Sequence, residues 1–156
     1  MASRQDIENL FYEIVPKVMA GLDDSETPTS EILKIHLMTE VILEEIIRKV
    51  LGINADAILD EELRYNQKLA ICAKLKLDDL SPALNTNAAG SLKKLNKIRN
   101  DAAHKINFEV SAEAIEGLFV GDIGKNRNDD VRNGGVDIKL SSYKAAIYIH
   151  MLNHQA

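Results

Sequence analysis

Apolar residues recur every three or four positions along almost the whole chain, which is the spacing of one face of an α-helix. Strict alternation of apolar and polar residues, the pattern of a half-buried strand, is nearly absent. The pattern therefore predicts an all-α fold, an up-and-down bundle of about five to six helices. A chain of 156 residues leaves little room for a second core, so we expect one domain over residues 1–156.

The first predicted helix covers residues 5–20. Ser3 precedes it as a candidate N-cap, because a serine hydroxyl can accept a hydrogen bond from a backbone N–H of the first turn. Pro16 lies inside the pattern and is expected to bend or break the helix, since proline lacks the N–H that a helix interior needs.

The second predicted helix is the most apolar segment of the chain and ends near Gly52. Thr29 or Ser30 is expected to cap its first turn. Its apolar residues cover too much of the circumference for a surface helix. We therefore expect this helix to lie at the centre of the bundle or to contact a partner chain as well.

The rest of the chain alternates between helical and polar segments. Further helices are predicted over residues 57–77 and 88–105, in a short segment capped by Ser111, and over residues 141–153. Residues 121–136 contain almost nothing to bury, so we expect them to form an exposed loop.

The net charge limits the kinds of nucleic-acid binding that the protein can perform. The net charge is -5 and the pI about 5.4, so the surface as a whole should repel a nucleic-acid backbone. A protein that coats nucleic acid is therefore excluded. A local site for a phosphodiester stays open, because a few cations act over about 8 Å at physiological salt.

Cysteine usage and the absence of targeting signals indicate a compartment. Cys72 is the only cysteine, which excludes an internal disulfide and a thiolate metal cluster and is typical of a reducing environment. No segment has the roughly 20 apolar residues of a membrane span, and the first residues lack the basic flank and apolar run of a signal peptide. We expect a cytoplasmic protein without membrane association.

The segment SLKKLNKIRNDAAHK, residues 91–105, has the most informative pattern in the chain. On a helical wheel of about 100° per residue, Arg99 falls on the same side as Leu92 and Leu95. Ile106 is expected to continue that apolar stripe. Lysines fall on the other side, where solvated cations belong (Lys93, Lys94, Lys97 and Lys105). Because burial of an unpaired guanidinium costs several kcal/mol, Arg99 should meet a compensating anion.

Asn100 and His104 share the face beside Arg99, since residues four apart are neighbours on a helix. A guanidinium can bind two phosphate oxygens at once, an amide can orient a ligand, and an imidazole can move protons near neutral pH. RNA supplies its own nucleophile in the 2′-hydroxyl, so the chemistry needs neither a metal nor a protein nucleophile. The three residues therefore fit phosphodiester cleavage.

A purely structural interpretation of these residues stays open. Arg99 would then pair with Glu40 of the second helix, its preferred counter-ion, and His104 would pack at a helix end. His36 and Glu40 are four residues apart, so either could meet Arg99 or His104 in the fold or across a dimer. Both could equally lie at the edge of the apolar stripe and reach solvent.

Other motifs do not meet their chemical requirements. His150 and His154 have the spacing of a helical metal pair, but no carboxylate or cysteine accompanies them. The sequence around Lys125 lacks the first glycine and the hydroxyl residue of a phosphate loop. The following residues alternate like a calcium loop but have Val131 in place of the required glycine. We expect neither a metal site nor a cofactor.

Arg99-Asn100, a three-residue spacer and His104 resemble the HEPN motif, which consists of Arg, a polar residue, a short spacer and His. The stretches YNQKLAICAKLKLDDLSP and LKKLNKIRNDAAH are similar to the pattern of the mannitol operon repressor (MltR) group and related HEPN-like bacterial proteins. The resemblance covers about residues 31–119. It implies a HEPN-like helical bundle in which Arg99 and His104 match the catalytic pair and Asn100 its polar support.

In the HEPN superfamily two protomers pair so that both motifs face one cleft, and many members are metal-independent endoribonucleases, often toxins or antiviral effectors. The resemblance therefore implies a homodimer that cleaves or binds RNA in bacterial defence or stress response, with an antitoxin or a regulatory partner. Ile106 stands where toxins that pair with a nucleotidyltransferase antitoxin often have tyrosine, which disfavours that pairing. Two alternatives stay open: a non-catalytic MltR-like transcriptional regulator or protein-interaction module, and a nucleotide-sensing domain.

Overall fold

The computed structural model describes residues 2–20 and 27–151, and this part of the chain consists of helices and connecting segments without a β-strand. The helices are α1 (Arg4–Ala20), α2 (Pro28–Leu51), α3 (Ala55–Leu59), α4 (Tyr65–Lys74), α5 (Thr86–His104), α6 (Ala112–Glu116), α7 (Asp129–Arg132) and α8 (Val136–His150). The predicted all-α class is confirmed. None of these helices combines the length and the apolar character that crossing a lipid bilayer requires.

Helix α2 lies at the centre of the fold, as its apolar pattern predicts. Helices α1, α4, α5 and α8 all pack against it. Its core-facing side chains have almost no contact with solvent (Ile32, Ile35, Met38, Ile42, Leu43, Ile46 and Ile47). Because full burial of such a side chain is worth about 1.5–3 kcal/mol, α2 fixes the positions of the four helices around it.

Helix α1 begins at the predicted cap and continues through its proline. Ser3 Oγ accepts a hydrogen bond from the N–H of Asp6 at 3.1 Å, and the Asp6 carboxylate accepts one from the N–H of Ser3 at 2.9 Å. Pro16 does not break the helix, which runs on to Ala20. The carbonyl that loses its N–H partner belongs to Tyr12, and the Tyr12 side chain is 72% exposed, so water reaches this turn.

Helix α2 starts two or three residues earlier in the polar connection than predicted. Its cap is Thr27, whose hydroxyl accepts a hydrogen bond from the N–H of Ser30 at 3.1 Å, rather than Thr29 or Ser30. Pro28 occupies the first helical position, where its missing N–H costs nothing because that group has no partner within the helix.

The single helix predicted over residues 57–77 is wrong. Helix α3 ends at Leu59, and a turn with Glu62 in the left-handed region (φ 54°) separates it from α4, which begins at Tyr65. The intervening residues 60–64 are mostly charged and exposed, with only Leu63 half-buried, so little apolar burial holds them in a continuous helix. The break brings the first turn of α4 to the surface of the bundle beside α2 and α5.

The exposed loop predicted over residues 121–136 is in part ordered and buried. It contains a 3-10 turn at Gly121–Gly124 and helix α7, and Ile123 is only 3% exposed. Helix α8 begins at Val136 rather than at residue 141. The end of the predicted C-terminal helix, residues 152–153, lies outside the described residues.

Ion pairs hold this segment in addition to the buried Ile123. The Glu116 carboxylate binds Arg127 Nη1 and Lys139 Nζ, each at 2.6 Å. Lys139 Nζ also donates to the carbonyls of Val131 and Arg132 at 3.1 and 2.8 Å, which closes the end of α7. The number of apolar residues in the segment could not predict this order, because much of it depends on ion pairs with Glu116, 11 and 23 residues away from its partners.

Candidate functional site

A cleft of about 750 Å³ opens between α2, α4 and α5, and we call it the α2–α4–α5 cleft. All five side chains selected from the sequence line it, namely His36, Glu40, Arg99, Asn100 and His104. Five further residues complete its wall, and the sequence pattern did not indicate them: Arg64, Tyr65, Asn66, Gln67 and Asn96. The structure therefore brings the predicted residues together and adds the first turn of α4.

Helix α5 changes character along its length, and this change creates one wall of the cleft. Leu92 and Leu95 are fully buried in the core. Asn96, Asn100 and His104 continue from Leu92 at four-residue spacing and line the cleft. The expected continuation of the apolar stripe to Ile106 is wrong: α5 ends at His104, and Ile106 is 93% exposed.

Arg99 is half-buried and has no carboxylate partner among residues 2–20 and 27–151. Its Nη1 donates a hydrogen bond to Asn100 Oδ1 at 3.2 Å. The predicted ion pair with Glu40 is not formed. Since an amide oxygen compensates a guanidinium only in part, the charge of Arg99 remains available to an anion in the cleft.

Glu40 is bound instead by a lysine on the neighbouring helix. Lys68 Nζ on α4 contacts Glu40 Oε1 at 2.9 Å and Glu44 Oε1 at 2.6 Å, and its side chain is only 10% exposed. These two carboxylates raise the pKa of Lys68 against the opposing effect of burial, which is the largest single influence on it. The ammonium therefore offsets one of the two negative charges on α2 and ties α4 to α2.

Arg64 is a second guanidinium of the cleft, and the described residues offer it no carboxylate either. Arg64 stands immediately before α4, and its backbone N–H donates a hydrogen bond to Gln67 Oε1 at 2.8 Å. The first turn of α4 contains no acidic residue, so the positive end of the helix dipole is not compensated there. Arg64, Arg99 and this helix end make the cleft attractive to an anion.

The floor of the cleft is a chain of hydrogen bonds that joins all three helices. The imidazole Nε2 of His36 on α2 lies 2.9 Å from Asn96 Oδ1 on α5. Asn96 Nδ2 donates to Asn66 Oδ1 on α4 at 3.0 Å. The ring of Tyr65 stacks on His36 with centroids 4.0 Å apart, and its hydroxyl shares a 2.8 Å hydrogen bond with Thr39. These contacts fix the orientation of His36.

Burial lowers the pKa of His36 below its ordinary value, with a further contribution from the positive charge of Arg99. The hydrogen bond with Asn96 and the charge of Glu40 act in the opposite direction. Burial dominates, so the imidazole of His36 is neutral at physiological pH.

We expect the free energy of unfolding to decrease as the pH is lowered, and we expect His36 to cause part of this decrease. The folded-state pKa of His36 is lower than the ordinary histidine value of 6.5, so the unfolded chain binds the proton more tightly and unfolding is favoured as the pH drops below about 6.5. Urea midpoints between about pH 7 and pH 5 should decline less for His36→Gln than for the unchanged protein. Equal slopes for the two proteins would contradict this assignment.

The histidines of the C-terminal region do not form a metal site in the described residues. His150 Nδ1 lies 2.8 Å from the carbonyl oxygen of Ala146, one turn earlier on α8, and His154 lies outside the described residues. Within the described ranges no three His, Cys, Asp or Glu side chains are grouped so that they could hold a metal ion.

Cys72 on α4 is buried. Its thiol donates a hydrogen bond to the carbonyl of Leu43 at 3.3 Å, and burial raises its pKa to about 12.

Comparisons of the chain with protein-family models, with curated proteins and with solved structures give no match. The resemblance to the HEPN superfamily therefore depends on the motif at residues 99–104 and on its surroundings alone.

Proposed function

We propose that this chain is a HEPN-like, metal-independent endoribonuclease that acts as a homodimer. One observation carries the proposal: two guanidinium groups, Arg64 and Arg99, have no carboxylate partner among residues 2–20 and 27–151 and line the same cleft as the imidazole of His104. A cleft with unpaired guanidinium groups attracts a phosphate, and an imidazole beside them can transfer the protons of a cleavage reaction.

In the proposed mechanism, Arg99 holds the scissile phosphate through two N–H groups and stabilises the charge of the pentacoordinate state. Arg64 binds a neighbouring phosphate oxygen or a flanking phosphate. His104 exchanges a proton with the reacting oxygens. Asn100 keeps the guanidinium of Arg99 in place through their 3.2 Å hydrogen bond.

The homodimer is supported by apolar side chains beside the cleft. Leu33 and Leu37 lie one turn apart on α2 and are 41% and 52% exposed. They occupy the solvent side of the helix next to His36 and Glu40, which line the cleft. A second copy packed on this strip by two-fold symmetry would bury it and bring two clefts close together.

Cleavage of single-stranded RNA in the presence of EDTA tests the proposal. We expect products that end in a 2′,3′-cyclic phosphate, because the 2′-hydroxyl is the nucleophile.

Arg64→Ala should weaken RNA binding about tenfold, in line with the loss of one charge-assisted contact of about 1.5 kcal/mol. Arg132→Ala is the matched control, since Arg132 also lacks a carboxylate partner in the described residues but lies outside the cleft.

A non-catalytic RNA-binding or MltR-like regulatory module is the second candidate. It is favoured by the state of His104, which is exposed and whose ring makes no hydrogen bond with any described residue, whereas a catalytic imidazole is commonly oriented by a partner. RNA that binds in an Arg64- and Arg99-dependent way but stays intact would favour this candidate. A protein that neither binds nor cuts RNA would contradict both.

A further inference from the structure

The α2–α4–α5 cleft contains two imidazoles, His36 from α2 and His104 from α5. Cleavage of RNA through its 2′-hydroxyl needs two proton transfers: one from the attacking hydroxyl and one to the departing oxygen. One group can perform both only in sequence, whereas two groups on opposite sides of a phosphate can act together. The arrangement therefore raises the question of which proton each histidine handles.

His36 has the orientation that a base requires. Asn96 Nδ2 donates to Asn66, so the Oδ1 of Asn96 faces the His36 ring and accepts the proton on Nε2. The other ring nitrogen, Nδ1, then carries the lone pair and makes no hydrogen bond within the described residues. Stacking on Tyr65 holds the plane of the ring. His36 is therefore an oriented, neutral imidazole with one free acceptor nitrogen.

The charges around His36 also suit a base. The titratable or charged groups of the cleft that face it are Glu40 on its own helix, Arg64 and Tyr65 on α4, and Arg99 and His104 on α5. Burial and Arg99 keep the ring neutral at rest. Glu40 and the Asn96 carbonyl favour the protonated ring, so they would stabilise the imidazolium that forms during the reaction.

Along α5, Arg99 stands between Asn96, which His36 contacts, and His104. His36 contacts Asn96, and His104 lies eight residues further along α5, about 12 Å along the helix axis at 1.5 Å per residue. Side chains on a helix lean toward its N-terminus, so the His104 ring leans toward Asn100, whose side chain binds Arg99 at 3.2 Å. A phosphate held by Arg99 would have an imidazole on each side.

We infer that His36 is a second catalytic residue of the cleft, the general base that complements His104 as the general acid, an inference that depends on the proposed ribonuclease function. His36 Nδ1 takes the proton of the 2′-hydroxyl while the 2′-oxygen forms its bond to phosphorus. The bond from phosphorus to the 5′-oxygen breaks, and the imidazolium form of His104 donates its proton to that oxygen. The products are a 2′,3′-cyclic phosphate and a 5′-hydroxyl, with His36 protonated and His104 neutral until water exchanges both protons.

Two substrates distinguish the base from the acid. In a dinucleotide the 5′-oxygen needs a proton to leave, whereas in uridine 3′-(4-nitrophenyl phosphate) the nitrophenolate leaves without one. His36→Gln keeps a donor toward Asn96 but cannot take up a proton, so cleavage of both substrates should fall about 100-fold or more. His104→Ala should slow the dinucleotide by a similar factor and leave the nitrophenyl substrate within a few-fold. His150→Gln, a histidine substitution outside the cleft, is the control.

A second measurement avoids the substitution of a buried residue, should His36→Gln not fold. The activity of His104→Ala on the nitrophenyl substrate should still fall at low pH, because the base must be neutral, and a flat profile would overturn the inference. Equal activity of folded His36→Gln and the unchanged protein on both substrates would also overturn it while leaving the ribonuclease proposal intact. If the unchanged protein cleaves neither substrate, the ribonuclease proposal fails and this inference with it.

Discussion

His104→Ala should lower the rate of RNA cleavage in EDTA by about 10²- to 10⁴-fold, the usual contribution of one proton-transferring side chain. His104 is exposed at the last position of α5 and makes no hydrogen bond with the described residues, so its loss removes chemistry and little structure. The melting temperature and the oligomeric state should therefore stay the same, because substitutions at such positions usually change stability by less than about 0.5 kcal/mol.

The measurement is single-turnover cleavage of a labelled RNA, with circular dichroism and gel filtration of the same samples. Lys105→Ala is a suitable control, because Lys105 is the next residue and makes only an exposed ion pair with Asp101 at 3.6 Å. If His104→Ala cleaves RNA as fast as Lys105→Ala and the unchanged protein do, the catalytic assignment of His104 is rejected.

Arg99→Ala should reduce cleavage by about 10²- to 10³-fold, the cost of removing one donor that stabilises charge in a transition state. Arg99→Lys should recover only part of this loss, since an ammonium keeps the positive charge but cannot bind two phosphate oxygens with a planar fork. Substitution of a partly buried guanidinium that has no carboxylate partner leaves no charge unpaired in the described residues, so both variants should fold.

A second readout separates Arg99 from a purely structural role. The charge of Arg99 lowers the pKa of His36, so Arg99→Ala should raise it, and imidazole proton resonances can follow that change. Arg132→Ala should alter neither cleavage nor the His36 titration. A loss of activity in Arg99→Lys as complete as in Arg99→Ala would show that the fork geometry, rather than the charge, is required.

The sequence predicted the helical class, the position of α5 and several of the residues that line the cleft. It did not predict which ion pairs those residues form. His36 and Glu40 on α2 and the residues at 99–104 lie on helices whose periodicity is clear, so their faces could be derived. The Glu40 pairing was wrong because Lys68 lies on a helix whose start was missed. Ion pairs between helices depend on relative position in space, which periodicity does not contain.

Arg64 was missed for a related reason. The charged run at residues 60–64 was included in a continuous helix, which placed Arg64 in a helix interior. Glu62 adopts a left-handed backbone conformation that no sequence rule indicates for glutamate. Once the chain turns there, Arg64 stands at the start of α4, and the four side chains from Arg64 to Gln67 reach the cleft.

The Lys68 ammonium has a consequence for how a polyanion would approach the molecule. The protein carries a net charge of -5, so an RNA strand meets a repulsive field at long range. Glu40 lines the cleft, and Lys68, which binds it together with Glu44, offsets one of these two negative charges and so reduces the repulsion there. Moderate salt should therefore speed the encounter by screening the distant acids while it weakens the final contacts, so that association is fastest at an intermediate ionic strength.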